Sequence, residues 1–180
     1  MDGMAAELSV EEMEAILYEH EIREASEDVE WTMGTVVDNP HYEFPTGQWS
    51  ADGQEAVREH YRRSLPAGVK QRVASRKRVH GTGPNTLFRE ASISFDDENG
   101  ERKTGQYMAV IEFDPVSRKI VSERQYGDTV FHEFMLPHIG PDYGDCPGVT
   151  RLNESVEPVS REEMMAEAEA GRADPGAKPA

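Results

Sequence analysis

The chain has 180 residues and carries 35 Asp and Glu against 19 Lys and Arg, which gives a net charge of −16 at pH 7. A surface this acidic repels nucleic-acid phosphates and anionic membranes, so neither is an expected partner. No stretch approaches the ~20 apolar residues of a membrane-spanning helix, and the first residues lack the basic and apolar segments of a secretory signal. The single cysteine, Cys146, excludes an internal disulfide. These properties predict a soluble, cytoplasmic protein.

The N-terminal region predicts two helices. Ser9 and Glu12 have the spacing of a capping box, which marks a helix start. The helix that follows carries one inward face: Met13, Ile16, Leu17 and His20. A second short helix is predicted from Glu27 to Val36, because Asp38-Asn39-Pro40 stops it with a residue that cannot donate a backbone hydrogen bond.

The pattern then changes from helical to alternating. His41–Phe44 reads as a short strand, and a second capping box at Asp52–Glu55 starts a helix that Pro66–Gly68 is expected to end. Period-two segments follow, and they predict strands near 69–80, 86–95, 104–113 and 119–127. Short connections favour antiparallel neighbours, so the order predicts an α+β fold: a cone-shaped curved antiparallel sheet wrapped around three N-terminal helices. Such a cone encloses an apolar cavity, the kind of place where small molecules bind.

Three segments are predicted along the chain. Residues 1–8 form a flexible N-terminus, residues 9–136 form the cone domain, and residues 137–180 form a loop-rich and largely disordered extension. A final short helix of the domain is expected from about Thr129 to Phe134. In the extension, Arg161–Ala170 has the composition of a short helix but little apolar face.

Charge is unevenly distributed along the sequence. Acidic residues dominate residues 2–30, and basic residues crowd together in residues 58–78. Two interpretations stay open. Each segment forms a solvated surface, or the two attract each other within the chain or across a dimer.

The familiar cofactor and metal motifs are absent from the sequence. Gly81–Pro84 lacks the Lys-Ser/Thr of a phosphate loop, and Asp96–Gly100 lacks the downstream glutamate of a calcium loop. His132 has no second histidine at the spacing of a helical zinc site, and Cys146 lies in a Pro/Gly loop without a nearby base. No metal and no cofactor are therefore predicted.

Three stretches resemble a known family. They are Asp28–Pro45, which contains Asp-Val-Glu-Trp-Thr-Met and Asn-Pro-His-Tyr-Glu-Phe-Pro; Gly53–Leu65; and Lys119–Asp128. Together they resemble the SnoaL-like branch of the nuclear transport factor 2-like superfamily, over residues 9–136. Ketosteroid isomerase, polyketide cyclases, limonene epoxide hydrolase and scytalone dehydratase share that cone-shaped fold. The resemblance implies the fold but not the activity, since the fold hosts many functions.

The catalytic positions of these relatives are mostly replaced here. The resemblance places Phe44 at the general-base aspartate of ketosteroid isomerase, His20 at its helix tyrosine and Ala109 at its strand aspartate. Proton abstraction beside a carbonyl needs a base and an oxyanion stabiliser, so steroid isomerase activity is not expected. The catalytic aspartate of the cyclases corresponds to Gln125, and their strand histidine to Ala109. An amide is not a base near neutral pH.

The epoxide hydrolases in this superfamily use an aspartate–arginine–aspartate arrangement. By resemblance Arg89 retains the arginine, whereas the two carboxylates become Ala91 and Gln125. All three mechanisms therefore lose their key carboxylate.

The remaining candidates fall into two groups. The candidate catalytic residues are His20, Gln125 and Arg89. The candidate ligand-binding residues are Trp31, Tyr42, Phe44, His60, Tyr61, Tyr107, Ala109 and Asp128. Each has a plainer alternative: a hydrogen-bonded core residue, a surface ion pair or, for Asp128, the cap of the final helix.

Two classes of function follow from these residues. In the first, the protein is a cofactor-free isomerase, cyclase or (de)hydratase for a small apolar metabolite, with His20 moving the proton. In the second, it is a non-catalytic small-molecule-binding module, or a dimeric interaction protein whose cavity its own side chains fill. A homodimer is an expectation from the resemblance only.

Overall fold

The computed structural model describes residues 7–152 and 160–173. The helices are α1 (Val10–Ala25), α2 (Val29–Met33), α3 (Gly53–Lys70), α4 (Thr129–Ile139) and α5 (Arg161–Ala173). The strands are β1 (Val36–Phe44), β2 (Trp49–Asp52), β3 (Ala74–Gly83), β4 (Thr86–Asp96), β5 (Arg102–Asp114), β6 (Lys119–Gly127) and β7 (Val149–Arg151). Single 3-10 turns occupy Pro45–Gly47 and Tyr143–Asp145.

The seven strands form one curved, unclosed sheet in the order β3-β4-β5-β6-β1-β2-β7. Strands β3 to β6 pair as an antiparallel meander, as the short connections predict. The predicted antiparallel sheet contains one exception, because β1 pairs with β6 in parallel. The register of this pair shifts between Val36 and His41, and Pro40 lies in that irregular stretch, where a residue without an amide proton is tolerated.

The core lies between the concave side of the sheet and helices α1, α2 and α3. From α1 it takes the predicted face of Met13, Ile16, Leu17 and His20. The sheet contributes alternate side chains, including Leu87, Ile93, Phe95, Ile111 and Phe113. The α+β cone predicted from the order of elements is thus confirmed.

Local signals set most helix starts. Ser9 and Glu12 form the predicted capping box: the amide of Glu12 donates to the Ser9 hydroxyl, and the amide of Ser9 donates to the Glu12 carboxylate. The second predicted capping box is not used in the same way. The Asp52 carboxylate contacts His41 Nδ1 at 2.7 Å and accepts a hydrogen bond from Ser50 at 3.0 Å.

Several predicted boundaries are wrong because burial outweighs local propensity. Helix α2 ends at Met33, and Val36 begins β1 instead of ending the helix, with its side chain fully buried. Helix α3 continues through Pro66 to Lys70, and α4 continues through Pro137 to Ile139. The extra turn of α4 buries Ile139, whose carbonyl accepts a hydrogen bond from Arg63 at 2.5 Å.

The folded region also extends beyond both predicted ends of the cone domain. Leu8 lies in the core, and its amide donates to the Asn85 side chain at 2.8 Å. After residue 136, Tyr143 and Val149 are buried, and β7 pairs with β2 as a seventh strand. The rest of the predicted flexible N-terminus (residues 1–6) and parts of the predicted extension (residues 153–159 and 174–180) lie outside the described residues.

Two ion pairs join the acidic and basic segments within the described part of the chain. Arg58 on α3 donates to Glu30 on α2 at 2.8 Å, and Lys77 on β3 pairs with Glu21 on α1. Attraction within the chain therefore accounts for part of the uneven charge distribution.

Helix α4 lies against two glycines of the sheet. A side chain at Gly127 would collide with the ring of Phe131, and one at Gly105 would come within 2.7 Å of the Asp128 carboxylate. Asp128 caps α4 by accepting from the Phe131 amide at 2.8 Å. The two glycines thus let the start of α4 approach the backbone of β5 and β6 closely.

Candidate functional site

The concave side of the sheet encloses two adjoining cavities. The narrow cavity has a volume of about 60 Å³ and lies between α1 and strands β3 to β6. The wide cavity has a volume of about 490 Å³ and extends from the same residues towards α3 and α4. Five residues line both: Glu21, Glu24, Lys77, Tyr107 and Gln125. The narrow cavity is therefore the polar inner end of a larger space.

Strand register brings the inward side chains together. Arg89, Ala109 and Gln125 are direct cross-strand neighbours on β4, β5 and β6. Glu123 lies two residues before Gln125, so period-two alternation puts it on the same face. All four residues line the narrow cavity.

Glu24 and His20 form the charged pair at the base of the site. They are four residues apart on α1, and His20 Nε2 lies 3.2 Å from the Glu24 carboxylate. Burial disfavours the imidazolium, but the attraction of Glu24 outweighs it and raises the pKa of His20. Burial likewise disfavours the carboxylate, and the attraction of His20 outweighs it and lowers the pKa of Glu24. The pair therefore favours its charged form.

The tautomer of His20 follows from its second contact. His20 Nδ1 lies 2.5 Å from the hydroxyl of Thr35, and that hydroxyl donates to the Thr32 carbonyl at 2.6 Å. Because a hydroxyl has one proton, Thr35 accepts from His20, so Nδ1 carries a hydrogen. Nε2 is then the atom that gains or loses a proton, beside Glu24.

Two buried tyrosines extend this network away from the cavity. The hydroxyl of Tyr61 lies 2.9 Å from His20 Nε2 and 2.8 Å from the hydroxyl of Tyr42. Burial raises the pKa of both Tyr42 and Tyr61 well above the usual range, so both keep their protons. When His20 is neutral, Tyr61 donates to Nε2. When His20 is protonated, Nε2 donates, and Tyr61 is free to donate to Tyr42.

Glu123 is the second carboxylate of the cavity, and its environment differs from that of Glu24. Its oxygen accepts a hydrogen bond from the Gln125 amide at 2.9 Å. Burial, with the negative charge of Glu24 adding to it, raises the pKa of Glu123. Two carboxylates that share a cavity are thus pushed in opposite directions, the usual arrangement of an acid and a base.

A third carboxylate, Glu21, holds the two cations of the narrow cavity. Arg89 donates to it at 2.8 Å and 3.4 Å, and Lys77 pairs with the same oxygen that receives the shorter bond. These three side chains expose only 15–21% of their surface. The group fixes positive charge beside Glu24 and Glu123.

The structure brings five of the predicted site residues to the cavities: Arg89, Tyr107, Ala109, Gln125 and His60. His20, Tyr42, Phe44 and Tyr61 are core residues instead, and His20 reaches the site only through Glu24. Trp31 lies on the surface, 47% exposed, with the Arg23 guanidinium 5.4 Å from its ring. Asp128 has the role of a helix cap.

The carboxylates of this site are not among the residues predicted from the sequence. Glu21 and Glu24 follow His20 by one and four residues on α1, and Glu123 precedes Gln125 by two on β6. The spacings of four and two are the sequence signals that point to Glu24 and Glu123, which lie outside the positions that the resemblance identifies. The residues that the resemblance places at catalytic carboxylate positions are not acidic, whereas Glu21, Glu24 and Glu123 supply carboxylates to the cavity.

Metal ligation is a separate possibility for such a cluster. Within residues 7–152 and 160–173, no group of three or more His, Cys, Asp or Glu side chains has an arrangement suited to a metal ion. In the same part of the chain, none of the helices has the length and apolar composition that a bilayer span requires.

Solved structures resemble the chain in fold. The epoxide hydrolase/cyclase-like enzyme SalBIII, described for pyran ring formation in salinomycin, is 19% identical with a TM-score of 0.55, over 67% of this chain and 93% of its own. An NTF2-like protein of unknown function from Cytophaga hutchinsonii is 17% identical with a TM-score of 0.51, over 64% of this chain and 99% of its own. TerC, co-crystallised with polyporic acid, is 13% identical with a TM-score of 0.54, over 69% of this chain and 98% of its own.

Sequence comparisons give no closer relative. No protein-family model matches the chain. No curated protein matches it either. At 13–19% identity the structural likeness shows the fold alone.

Proposed function

We propose that this protein, which has the nuclear transport factor 2-like fold, is a cofactor-independent acid–base enzyme that isomerises, cyclises, hydrates or dehydrates a small molecule. The observation that carries the proposal is that Glu24 and Glu123 face one cavity from α1 and β6 in opposite electrostatic environments. The predicted acid–base chemistry is kept, but two glutamates replace His20 as the groups that transfer the proton.

Glu24 is the proposed general base. Its pairing with His20 keeps it ionised. Its side chain is 32% accessible, and Glu24 lines both cavities. It can take a proton from a substrate carbon, a hydroxyl group or a water molecule. His20 then acts as a positioning residue that holds the carboxylate in place through Nε2.

Glu123 is the proposed general acid. A protonated carboxyl can donate to a carbonyl, hydroxyl or epoxide oxygen, and the Gln125 amide holds one of its oxygens in a fixed position. Lys77 and Arg89 lie in the same wall and favour negative charge that develops on a substrate oxygen. One proton removed and one delivered completes an isomerisation, ring closure, hydration or dehydration.

The cavity also constrains the ligand. Its inner end is charged, while its outer part has apolar side chains, namely Leu65, Val73, Ile93, Phe131, Phe134 and Met135, beside the polar residues Ser64, Arg72 and Ser75. The predicted apolar metabolite therefore needs a polar group at one end. The similarity in fold to SalBIII, an epoxide hydrolase/cyclase-like enzyme, and to TerC, co-crystallised with polyporic acid, is compatible with this class of ligand.

The test compares two glutamate variants with a matched control. Styrene oxide hydration in H₂¹⁸O and α-proton exchange of 2-tetralone in D₂O are measured for the wild type, Glu24→Gln, Glu123→Gln and Glu14→Gln, the last an exposed position on α1. The proposal expects acceleration of at least one reaction, a loss of about 100-fold or more in both cavity variants, and no change in the control. No acceleration by the wild type, or equal rates in all variants, contradicts it.

A binding module without catalysis is the second candidate. The observation that favours it is the closed ion-pair group of Glu21, Lys77 and Arg89, which leaves the arginine engaged instead of free. This candidate expects that Glu24→Gln changes the affinity for a ligand, while no reaction is accelerated by the wild type.

We also propose that the protein forms a homodimer through the outer face of the sheet. Phe88 and Tyr126 are 40% and 44% exposed there, each directly opposite an apolar residue of β5, namely Val110 and Met108. Light scattering after size-exclusion chromatography tests this. A dimer that becomes a monomer in Phe88→Glu supports the proposal, and a monomeric wild type refutes it.

A further inference from the structure

A third cavity lies between α1 and the turn that joins β5 to β6. Its volume is about 380 Å³, and it shares no lining residue with the narrow or the wide cavity. On α1 its wall contains Ala15, Glu19 and Arg23, which recur every four positions, whereas Glu21 and Glu24 line the acid–base site. With 3.6 residues per turn, the two sets lie on opposite faces of the helix. The third cavity is therefore a separate place on the molecule.

Positive charge is concentrated in the third cavity. Arg23 lines it from α1, and Arg118 and Lys119 line it from the turn and the start of β6. Among the described residues of its wall, Glu19 is the one carboxylate, so the wall carries a charge of +2. The whole chain carries a net charge of −16. A local positive field of this kind attracts an anion that the rest of the surface repels.

Arg23 is held in place by its neighbours on α1 and α2. Its Nη1 donates to the Trp31 carbonyl at 3.0 Å, and its Nη2 donates to Glu19. The guanidinium also lies 5.4 Å from the centre of the Trp31 ring. Gly34 lines the cavity beside it, where a side-chain carbon would come within 3.0 Å of Nη1. The position of this cation is thus set before any ligand binds.

The two cations of the turn are more available. Arg118 donates to Glu12 at 2.9 Å, but both side chains are about half exposed, and exposed ion pairs are weak. Lys119 pairs with no carboxylate within residues 7–152 and 160–173. Asp114 holds the turn by accepting hydrogen bonds from the amides of Val116 at 3.0 Å and Ser117 at 3.2 Å. An anion of higher charge can therefore compete with Glu12 for Arg118 and recruit Lys119.

We propose that the third cavity binds a phosphate group, as the free ion or at the end of a small phosphate monoester. A phosphate group carries a charge of about −1.5 to −2 at pH 7 and has three strong acceptor oxygens. One such group can accept from several cations at once, whereas a carboxylate has a single charge and two oxygens. The volume of about 380 Å³ is in the range of small-molecule sites, so it has room for the organic part of a monoester.

Isothermal titration calorimetry of the full chain at pH 7 in low salt tests this proposal. The probes are glycerol 3-phosphate, inorganic phosphate and succinate. The phosphate probes are expected to bind the wild type, and Arg118→Gln and Lys119→Gln are each expected to weaken that binding about 10-fold. The controls Arg62→Gln and Lys70→Gln remove the same charges from α3 and are expected to change nothing. Arg62 matches Arg118 because it is also 49% exposed and ion-paired.

An NMR readout locates the bound anion. Glycerol 3-phosphate is expected to shift the backbone amide resonances of Gly34 and Lys119 and to leave that of Gln125 nearly unchanged. The opposite result, with affinity lost in Lys77→Gln and kept in Lys119→Gln, overturns the inference because it places the anion in the narrow cavity.

The three probes separate the possible ligands. Tighter binding of glycerol 3-phosphate than of inorganic phosphate supports a monoester, and equal binding supports the free ion. Succinate that binds as tightly as the phosphate probes overturns the choice of a phosphate group. No heat of binding and no amide shift with either phosphate probe overturns the site itself. None of these outcomes depends on turnover, so the inference and the acid–base proposal stand or fall separately.

Discussion

Replacing Tyr61 with phenylalanine removes the central hydroxyl of the buried network. That hydroxyl joins His20 Nε2 at 2.9 Å to the Tyr42 hydroxyl at 2.8 Å, and Tyr61 is 1% exposed. In Tyr61→Phe the Tyr42 hydroxyl loses this bond, and a buried group left unsatisfied costs about 1–3 kcal/mol. We therefore expect the free energy of unfolding to fall by about 2 kcal/mol.

The neighbouring substitution is expected to cost less. In Tyr42→Phe the hydroxyl of Tyr61 keeps His20 as a partner, so only one net hydrogen bond is lost, about 1 kcal/mol. In the double variant no unsatisfied hydroxyl remains at position 42, so the free energy of unfolding is expected to fall by about 2 kcal/mol. The sum of the two single-variant losses would be about 3 kcal/mol. The coupling between the two positions is then about 1 kcal/mol.

Urea denaturation at pH 7 measures these values, with Tyr18→Phe as the matched control. Tyr18 is 67% exposed on α1, and its substitution is expected to change stability by less than about 0.5 kcal/mol. Additive costs in the double variant, or a larger loss for Tyr42→Phe than for Tyr61→Phe, would refute the hydrogen-bond order described above.

Three further predictions address charge and packing. Glu24→Gln is expected to lower the free energy of unfolding most at pH values between the lowered pKa of Glu24 and the raised pKa of His20. The stability that the charged pair contributes is lost as pH falls through the pKa of Glu24 and as pH rises through the pKa of His20. Urea denaturation from pH 3 to 9 measures this window. Gly127→Ala is expected to lower the free energy of unfolding by about 1–3 kcal/mol, because its methyl group collides with the first turn of α4. The control Gly81→Ala places its methyl group in open space and is expected to change stability little, and thermal denaturation compares the two. Burial lowers the pKa of His60 to about 4 in the folded state, against 6.5 in the unfolded state. The free energy of unfolding is therefore expected to fall as pH drops from 6.5 towards 4. An NMR titration in which His60 titrates near 6.5 would contradict its burial.

The order of elements could be read from the sequence because local patterns decide it. The capping box at Ser9 and the period-two strands from Thr86 onwards are set by near neighbours. The parallel pairing of β1 with β6 joins residues about 80 positions apart, and no local pattern reports such a contact. Strand β7, with three residues, is too short to show a period.

Helix ends were predicted less well for a related reason. Proline in a helix interior costs about 3 kcal/mol. This local rule predicts that α3 ends at Pro66 and that α4 ends before Pro137. Buried residues beyond the prolines, Ala67 and Ile139, offset this cost once the tertiary structure forms. The decisive term is burial, which depends on elements far away in sequence.

The candidate site was partly accessible from the sequence. Arg89, Ala109 and Gln125 were chosen by resemblance, and they do form one row across three strands of the cavity wall. Glu24 and Glu123 are not predicted, because the resemblance places catalytic carboxylates at other positions. A carboxylate can enter the same cavity from another helix turn or strand position, and only the assembled structure shows that.

The two glycines beneath α4 have a consequence for how the ligand range of this protein can change. The distance of α4 from the sheet depends on the absence of side chains at Gly105 and Gly127, whereas the α4 side chains that line the wide cavity include Phe134 and Met135. Substitutions of these α4 side chains can therefore change which ligands fit the cavity without changing the position of α4 on the sheet. Different residues determine the position of α4 and the lining of the cavity, so the range of ligands can change in evolution or in engineering while the fold is kept.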